Sequence, residues 1–175
     1  MKTVYFVRHG ECQANVEKRT AGLNDSPLTA LGLQQADETG GQLKGVEVDL
    51  IVSSPLARSK VTAERIASKI GYTGEIRLEP LLHERDFGAM SNQPRDIALP
   101  AIDAGDVEGL ESLEDFAERM GQALRHLEAL PGMRILVVGH SGAERMMRTI
   151  YEGRSYQTWL ETPDLHNGHI REYAF

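Results

Sequence analysis

The strongest constraint on the fold is a set of short apolar runs that stop abruptly on polar and charged residues. Val4, Tyr5, Phe6 and Val7 are followed at once by Arg8, His9, Gly10 and Glu11. Residues 134–138 carry Ile-Leu-Val-Val and are followed by Gly139, His140 and Ser141. Residues 49–52 carry Leu-Ile-Val and are followed by Ser53, Ser54 and Pro55. Runs this short and this rich in β-branched residues read as strands, and apolar character without alternation means burial on both faces. Such strands need helices above and below them. Residues 75–78 and 169–173 read as weaker strands.

The intervening stretches supply those helices. Residues 29–43 place Leu31, Ala36, Thr39 and Leu43 near helical spacing, and residues 56–70 place Val61, Ala63, Ile66, Ala67 and Ile70 there. From 113 to 130, Leu113, Phe116, Met120, Leu124 and Leu127 recur every three or four positions. Gly71 and Pro131-Gly132 are helix stops, and Ser112 with Asp115 has the form of a capping box. A further helix is expected after Ser141. Alternation of this kind predicts an α/β fold: a three-layer α/β/α sandwich with a largely parallel central sheet, in one domain over residues 1–175. Ligands bind such sheets beyond the carboxyl ends of the strands. That edge collects Arg8-His9, Ser53-Ser54-Pro55 with Arg58 one turn on, and Gly139-His140-Ser141.

A net charge of -7 argues against a general nucleic-acid binder, which needs a basic face. Cys12 is the only cysteine, so no intrachain disulfide can form. No apolar stretch approaches the ~20 residues of a membrane helix, and residues 1–10 lack the apolar core of a signal peptide. The chain therefore reads as cytoplasmic, with no membrane partner. It carries no signal for an oligomeric state.

Two arginines, two histidines and nearby helix N-termini at one sheet edge make an anion trap. Guanidinium forks fit phosphate oxygens bidentately, and helix N-termini after Gly10 and Gly142 would add free N–H groups. A phosphoryl group held there is open to in-line attack, and neutral His9 is a competent nucleophile. A carboxylic acid in the same pocket could protonate the leaving oxygen.

With these residues in place the chain resembles the histidine phosphatase superfamily, which includes cofactor-dependent phosphoglycerate mutases. The resemblance rests on five ordered blocks: Arg8-His9-Gly10-Glu11 with Asn15; Ser26-Pro27-Leu28-Thr29 with Gly32 and Gln35-Ala36; Ser53-Ser54-Pro55-Leu56 with Arg58 and Thr62-Ala63; Leu82, Glu84 and Phe87-Gly88; and Gly139-His140-Ser141-Gly142. It implies a phosphoglycerate mutase-like fold and phosphohistidine chemistry. His9 would carry the phosphoryl group, with Arg8, Arg58 and His140 on its oxygens. Asn15, Gly22 and Ser141 would bind substrate, and Glu84 would be first acid and then base. Neither metal nor cofactor is implied, because arginines and histidines supply the positive charge. The partner would be a small phosphorylated substrate.

Residues 91–111 contain Pro94, Pro100, Gly105 and Gly109 and read as a short, partly mobile lid. Its Asp96, Asp103, Asp106 and Glu108 against one Arg95 predict an acidic rim that disfavours polyanions. A short lid and an acidic rim favour a phosphatase acting on a small monoester. The alternatives are a mutase-type phosphoryl transferase or a non-catalytic phospho-ligand binder. Plainer readings stand beside the other residues. Cys12 reads as a small inert side chain, His126 as exposed, and His166 and His169 as flanks of a turn rather than a metal pair. Arg145 and Arg148 read as a solvated helix face, with binding of a second anion as the alternative.

Overall fold

The computed structural model describes residues 1–175. Strand β1 (Thr3–Arg8) leads through a one-turn helix α1 (Gln13–Val16) to α2 (Ala30–Gln42). Then come β2 (Leu50–Ser53), α3 (Ala57–Ile70), β3 (Ile76–Leu78), α4 (Arg95–Ala104) and α5 (Leu113–Ala129). The chain closes with β4 (Arg134–Gly139), α6 (Ser141–Tyr151) and β5 (Ile170–Ala174). The five strands form one sheet in the order β3-β2-β4-β1-β5. All neighbours are parallel except β5, which runs antiparallel to β1.

Period two along each strand divides the core. Val4, Phe6, Val52, Ile135 and Val137 face α5 and α6, meeting Phe116, Met120, Leu127, Met146 and Met147. Val7, Ile51, Leu136 and Val138 face the other way, onto Ala63, Ile66 and Ala67 of α3 and onto Leu43. Helix α5 starts where Ser112 accepts a hydrogen bond from the Asp115 amide, and α3 ends on Gly71 in the left-handed conformation. Helix α2 departs from expectation. Leu31 points outward, and the helix packs instead through Gly32, Ala36, Thr39 and Gly40. Small residues let it approach closely: a Cβ on Gly10 would lie 2.2 Å from the Gly32 carbonyl oxygen. Gly10 is therefore required by the β1–α2 contact, and not only by the turn around Arg8 and His9.

The stretch read as a loose lid contains a ten-residue helix, α4, with Pro100 inside it. An interior proline removes one backbone hydrogen bond, so Pro100 reads locally as a break although the helix continues through it. Ala98 and Ile102 are buried and anchor the helix, while Ile97 and Leu99 stay exposed.

Register sets the site. Arg8 lies opposite Gly139, and Ser53 lies opposite Val138. The carboxyl ends of β1, β4 and β2 thus finish level with one another.

Candidate active site

Beyond that level edge lies a cavity of about 210 Å³. Its walls include Arg8 and His9 from the end of β1, Asn15 from α1, Gly22 from the following loop and Arg58 from α3. Glu84, together with Ser141 and Gly142 from the start of α6, closes the far side. His140 is fully buried and does not line the cavity; its ring packs edge-on against His9 with centroids 5.3 Å apart.

The His9 ring is fixed. Its Nδ1–H donates to the Gly10 carbonyl at 2.7 Å, which leaves Nε2 as the unprotonated nitrogen. Burial, with the Arg58 and Arg8 charges nearby, holds its pKa well below the usual histidine value. His140 is lowered well below that value by burial, by Arg58 and by His9. Its Nε2 shares a 2.8 Å hydrogen bond with Ser54 Oγ at the end of β2. Both imidazoles are neutral at pH 7.

The two cations are held by carbonyls. Arg58 is only 2 % exposed and has no carboxylate partner; its Nη1 donates to the Asn24 carbonyl at 2.9 Å and its Nη2 to the Gly22 carbonyl at 2.7 Å. Arg8 donates from Nη1 to the Leu165 carbonyl at 2.7 Å and meets Asp164 at 3.3 Å. Burial lowers both guanidinium pKa values, though arginine stays charged. A buried charge without a counter-ion is costly. Arg8 Nε, Arg58 Nε and His140 Nδ1 are also buried without a hydrogen-bond partner.

Glu84 sits on the N-terminus of α6. Its Oε2 accepts from the Gly142 amide and its Oε1 from the Ala143 amide, each at 3.0 Å. This is where the dipole and free N–H groups of a helix favour an anion. The segment carrying Glu84 is strapped to α5 by Arg119, whose Nη1 donates to the carbonyls of Leu81 at 2.8 Å and His83 at 2.9 Å. Asn15 lines the cavity with its Oδ1 occupied, accepting from the Cys12 amide at 3.1 Å and from Asn167 Nδ2 at 3.3 Å. Cys12 is buried and caps α1. The Ser141 hydroxyl donates to Asp164.

Three parts of the site had no clear signal in the sequence. Asp164 orients Arg8 and Ser141, Asn167 donates to the His9 carbonyl at 2.9 Å, and Arg119 places the Glu84 segment. Two expectations are corrected. The acidic rim does not form: Asp96, Asp103, Asp106 and Glu108 are exposed and none lines the cavity, whereas Arg95 does; Asp96 and Asp103 leave α4 in other directions than Arg95, and Asp106 and Glu108 lie beyond the end of the helix. Arg145 is not a plain solvated residue. It lines the cavity, stacks 5.5 Å from the Trp159 ring centroid and donates from Nε to the Thr162 carbonyl. His126, half exposed, pairs with Glu79 at 2.9 Å. No three His, Cys, Asp or Glu side chains gather in metal-ligating geometry.

Comparison with known proteins agrees with this arrangement. A family model described as histidine phosphatase superfamily (branch 1) matches residues 4–175. A protein of Salmonella choleraesuis (strain SC-B67), named "Probable phosphoglycerate mutase GpmB", is 37 % identical over 152 residues, covering 80 % of this chain and 70 % of that one. Phosphoserine phosphatase of Entamoeba histolytica, solved in complex with 3-phosphoglyceric acid, matches with a TM-score of 0.86 at 25 % identity, over 100 % of this chain and 91 % of that one. The α-ribazole phosphatase of Shigella flexneri matches with a TM-score of 0.84 at 25 % identity, over 97 % and 89 %. Level strand ends, a buried pair of histidines and a family match along nearly the whole length lead to one assignment: the chain belongs to branch 1 of the histidine phosphatase superfamily.

Proposed function

We propose that this protein is a phosphomonoesterase that hydrolyses a small phosphorylated metabolite through a phosphohistidine at His9, without a metal. The observation that supports this is the set of buried donors without partners, Arg8 Nε, Arg58 Nε and His140 Nδ1, beside one neutral imidazole. A phosphoryl group in the cavity would offer partners to the two guanidinium Nε donors. The hydrogen bond between His140 Nε2 and Ser54 Oγ leaves Nδ1 as the ring atom without a partner. The His9 Nε2 lone pair then attacks phosphorus as the bond to the leaving oxygen breaks, and protonated Glu84 gives that oxygen its proton. In the second half, the Glu84 carboxylate takes a proton from water, whose oxygen attacks phosphorus and frees Nε2 and inorganic phosphate. The two amides on Glu84 suit the carboxylate of this second half. Guanidiniums aimed at the equatorial oxygens perform the charge stabilisation of phosphoryl transfer.

Water as the acceptor is supported by an open mouth: Arg95 is exposed and the Asp164 side chain is 50 % exposed. The second reading, a mutase, is favoured by the name of the 37 % identical Salmonella protein. A panel of phosphorylated metabolites screened for phosphate release tests both. Phosphate release, a labelled phosphoenzyme trapped by alkaline quench, and loss of both in His9→Ala are expected. Fast interconversion of 3- and 2-phosphoglycerate primed by 2,3-bisphosphoglycerate, with little free phosphate, would establish the mutase instead.

A further inference from the structure

One short loop joins the lid to Arg58. Residues 18–20 run beside the root of the lid, residues 90–95, in the manner of two antiparallel strands. The Thr20 amide donates to the Gln93 carbonyl at 3.0 Å, the Asn92 amide to the Thr20 carbonyl, and the Arg95 amide to the Lys18 carbonyl at 2.9 Å. Arg19 stands opposite Pro94, and its guanidinium donates to the Asn92 carbonyl. Just after Thr20 the same loop presents the carbonyls of Gly22 and Asn24. Those two carbonyls are the only hydrogen-bond partners of the Arg58 guanidinium.

Thr20 is the pivot of this arrangement. It is 4 % exposed, and its hydroxyl donates to the Met90 carbonyl, with the Gln93 carbonyl at 3.2 Å and the Gln93 amide at 3.3 Å. Thr20 borders the cavity, yet its one hydroxyl proton is committed to the lid root and is not free for a bound anion. Gly22 makes a second contact with the root. Its φ is +53°, and a Cβ there would lie 2.8 Å from Ser91 Oγ and 3.3 Å from the Phe87 ring. The lid is not seated on the sheet: Ala98 and Ile102, the buried residues of α4, belong to the core on neither face. Its far end returns to the same root, where the Ala89 amide donates to the Glu108 carbonyl at 2.9 Å.

From this connectivity we infer that Thr20 is a positioning residue that carries the seating of the lid to Arg58. A guanidinium is a rigid planar fork, so the two carbonyls that hold it set its plane, and those carbonyls follow the loop that Thr20 pins to the lid root. With the root seated, Arg58 is held in the cavity wall; with the root displaced, the carbonyls turn and the fork turns with them. Thr20 touches no substrate in this scheme and acts only through Arg58. The inference rests on reading the cavity as a phosphoryl site, and it adds how the lid and the cation that grips the anion are coupled.

The test is a double-mutant cycle with a rescue. Thr20→Val keeps the branched shape and removes the hydroxyl, whereas Thr20→Ser keeps the hydroxyl. Binding of inorganic phosphate is measured by titration calorimetry on the wild type and both variants, which needs no turnover. kcat/KM for p-nitrophenyl phosphate is measured on the same proteins with and without Arg58→Ala. Thr20→Val should weaken phosphate binding and lower kcat/KM by about three- to tenfold, the scale of one lost hydrogen bond, and Thr20→Ser should return both close to wild type. In the Arg58→Ala background Thr20→Val should change kcat/KM by less than about twofold, because residues acting through one another are not additive. Should Thr20→Val fail to fold, Arg19→Ala carries the same cycle with a smaller effect, since Arg19 is partly exposed, does not border the cavity and straps the same root. Equal losses with and without Arg58 would overturn the inference, and so would unchanged phosphate binding in Thr20→Val. Failure of the wild type to hydrolyse p-nitrophenyl phosphate would sink the phosphatase reading instead, while phosphate binding to Thr20→Val and Thr20→Ser would still decide this one.

Discussion

At the scale of single residues the site is a balance of charges held apart. Arg58 is a buried cation whose guanidinium meets only carbonyls and whose Nε has no partner, and in the proposed mechanism a bound phosphoryl group is its counter-ion. Arg58→Ala should lower kcat/KM by about two to three powers of ten, since one such donor contributes roughly 2–4 kcal/mol in the transition state. A change under threefold in steady-state assays would place Arg58 outside the reaction. In the proposed mechanism Glu84 acts at a different moment. Glu84→Gln should severely slow hydrolysis of alkyl phosphates but affect p-nitrophenyl phosphate far less in the first step, because nitrophenolate leaves without a proton. The trapped phosphoenzyme should then last longer in the variant. Equal losses on both esters would assign Glu84 a purely structural place on α6.

At the scale of elements the unusual feature is how Glu84, the proposed acid, is carried. Glu84 lies outside every regular strand and α-helix, on a segment that would wander if nothing restrained it. Helix α5 restrains it through Arg119, which also pairs with Glu111 at 2.7 Å, both side chains being largely buried. Arg119→Ala should therefore leave phosphate binding nearly intact and lower kcat for alkyl phosphates by ten- to a hundred-fold, the scale of a misplacement near 1 Å. p-Nitrophenyl phosphate should be less affected, and the melting temperature should fall, because hydrogen bonds to a charged group contribute about 1.5–3 kcal/mol. A variant with unchanged kcat on alkyl esters would show that the segment holds itself.

At the scale of the whole molecule the two buried histidines link stability to pH. Their folded pKa values lie well below the usual 6.5, so below pH 6.5 the unfolded chain binds protons that the folded one refuses. Their contribution is complete above about pH 6.5 and is lost as pH falls. Buried Glu144, held above the usual carboxylate range by desolvation, works in the opposite sense in a lower window. Melting temperatures should be flat from about pH 8 to 7 and decline toward pH 5, with a shallower decline in His9→Ala. A wild-type profile that stays flat to pH 5 would contradict the burial of both rings.

The sheet and the helices on each side of it were legible in the sequence, and so was the clustering of the candidate site residues at one sheet edge. Apolar runs with period-two faces admit one layered arrangement, and Arg8, His9, Arg58 and His140 stand at the ends or flanks of those runs. Local pattern suffices there, because strand ends and helix starts are properties of consecutive residues. Which charges meet depends on the folded chain. Asp164 and Asn167 reach the site from a segment over 150 positions after Arg8 and His9, and no local spacing encodes that approach. The lid shows the same division most clearly. Residues 91–111 are acidic in composition, yet they contribute Arg95 to the cavity wall while Asp96, Asp103, Asp106 and Glu108 face solvent.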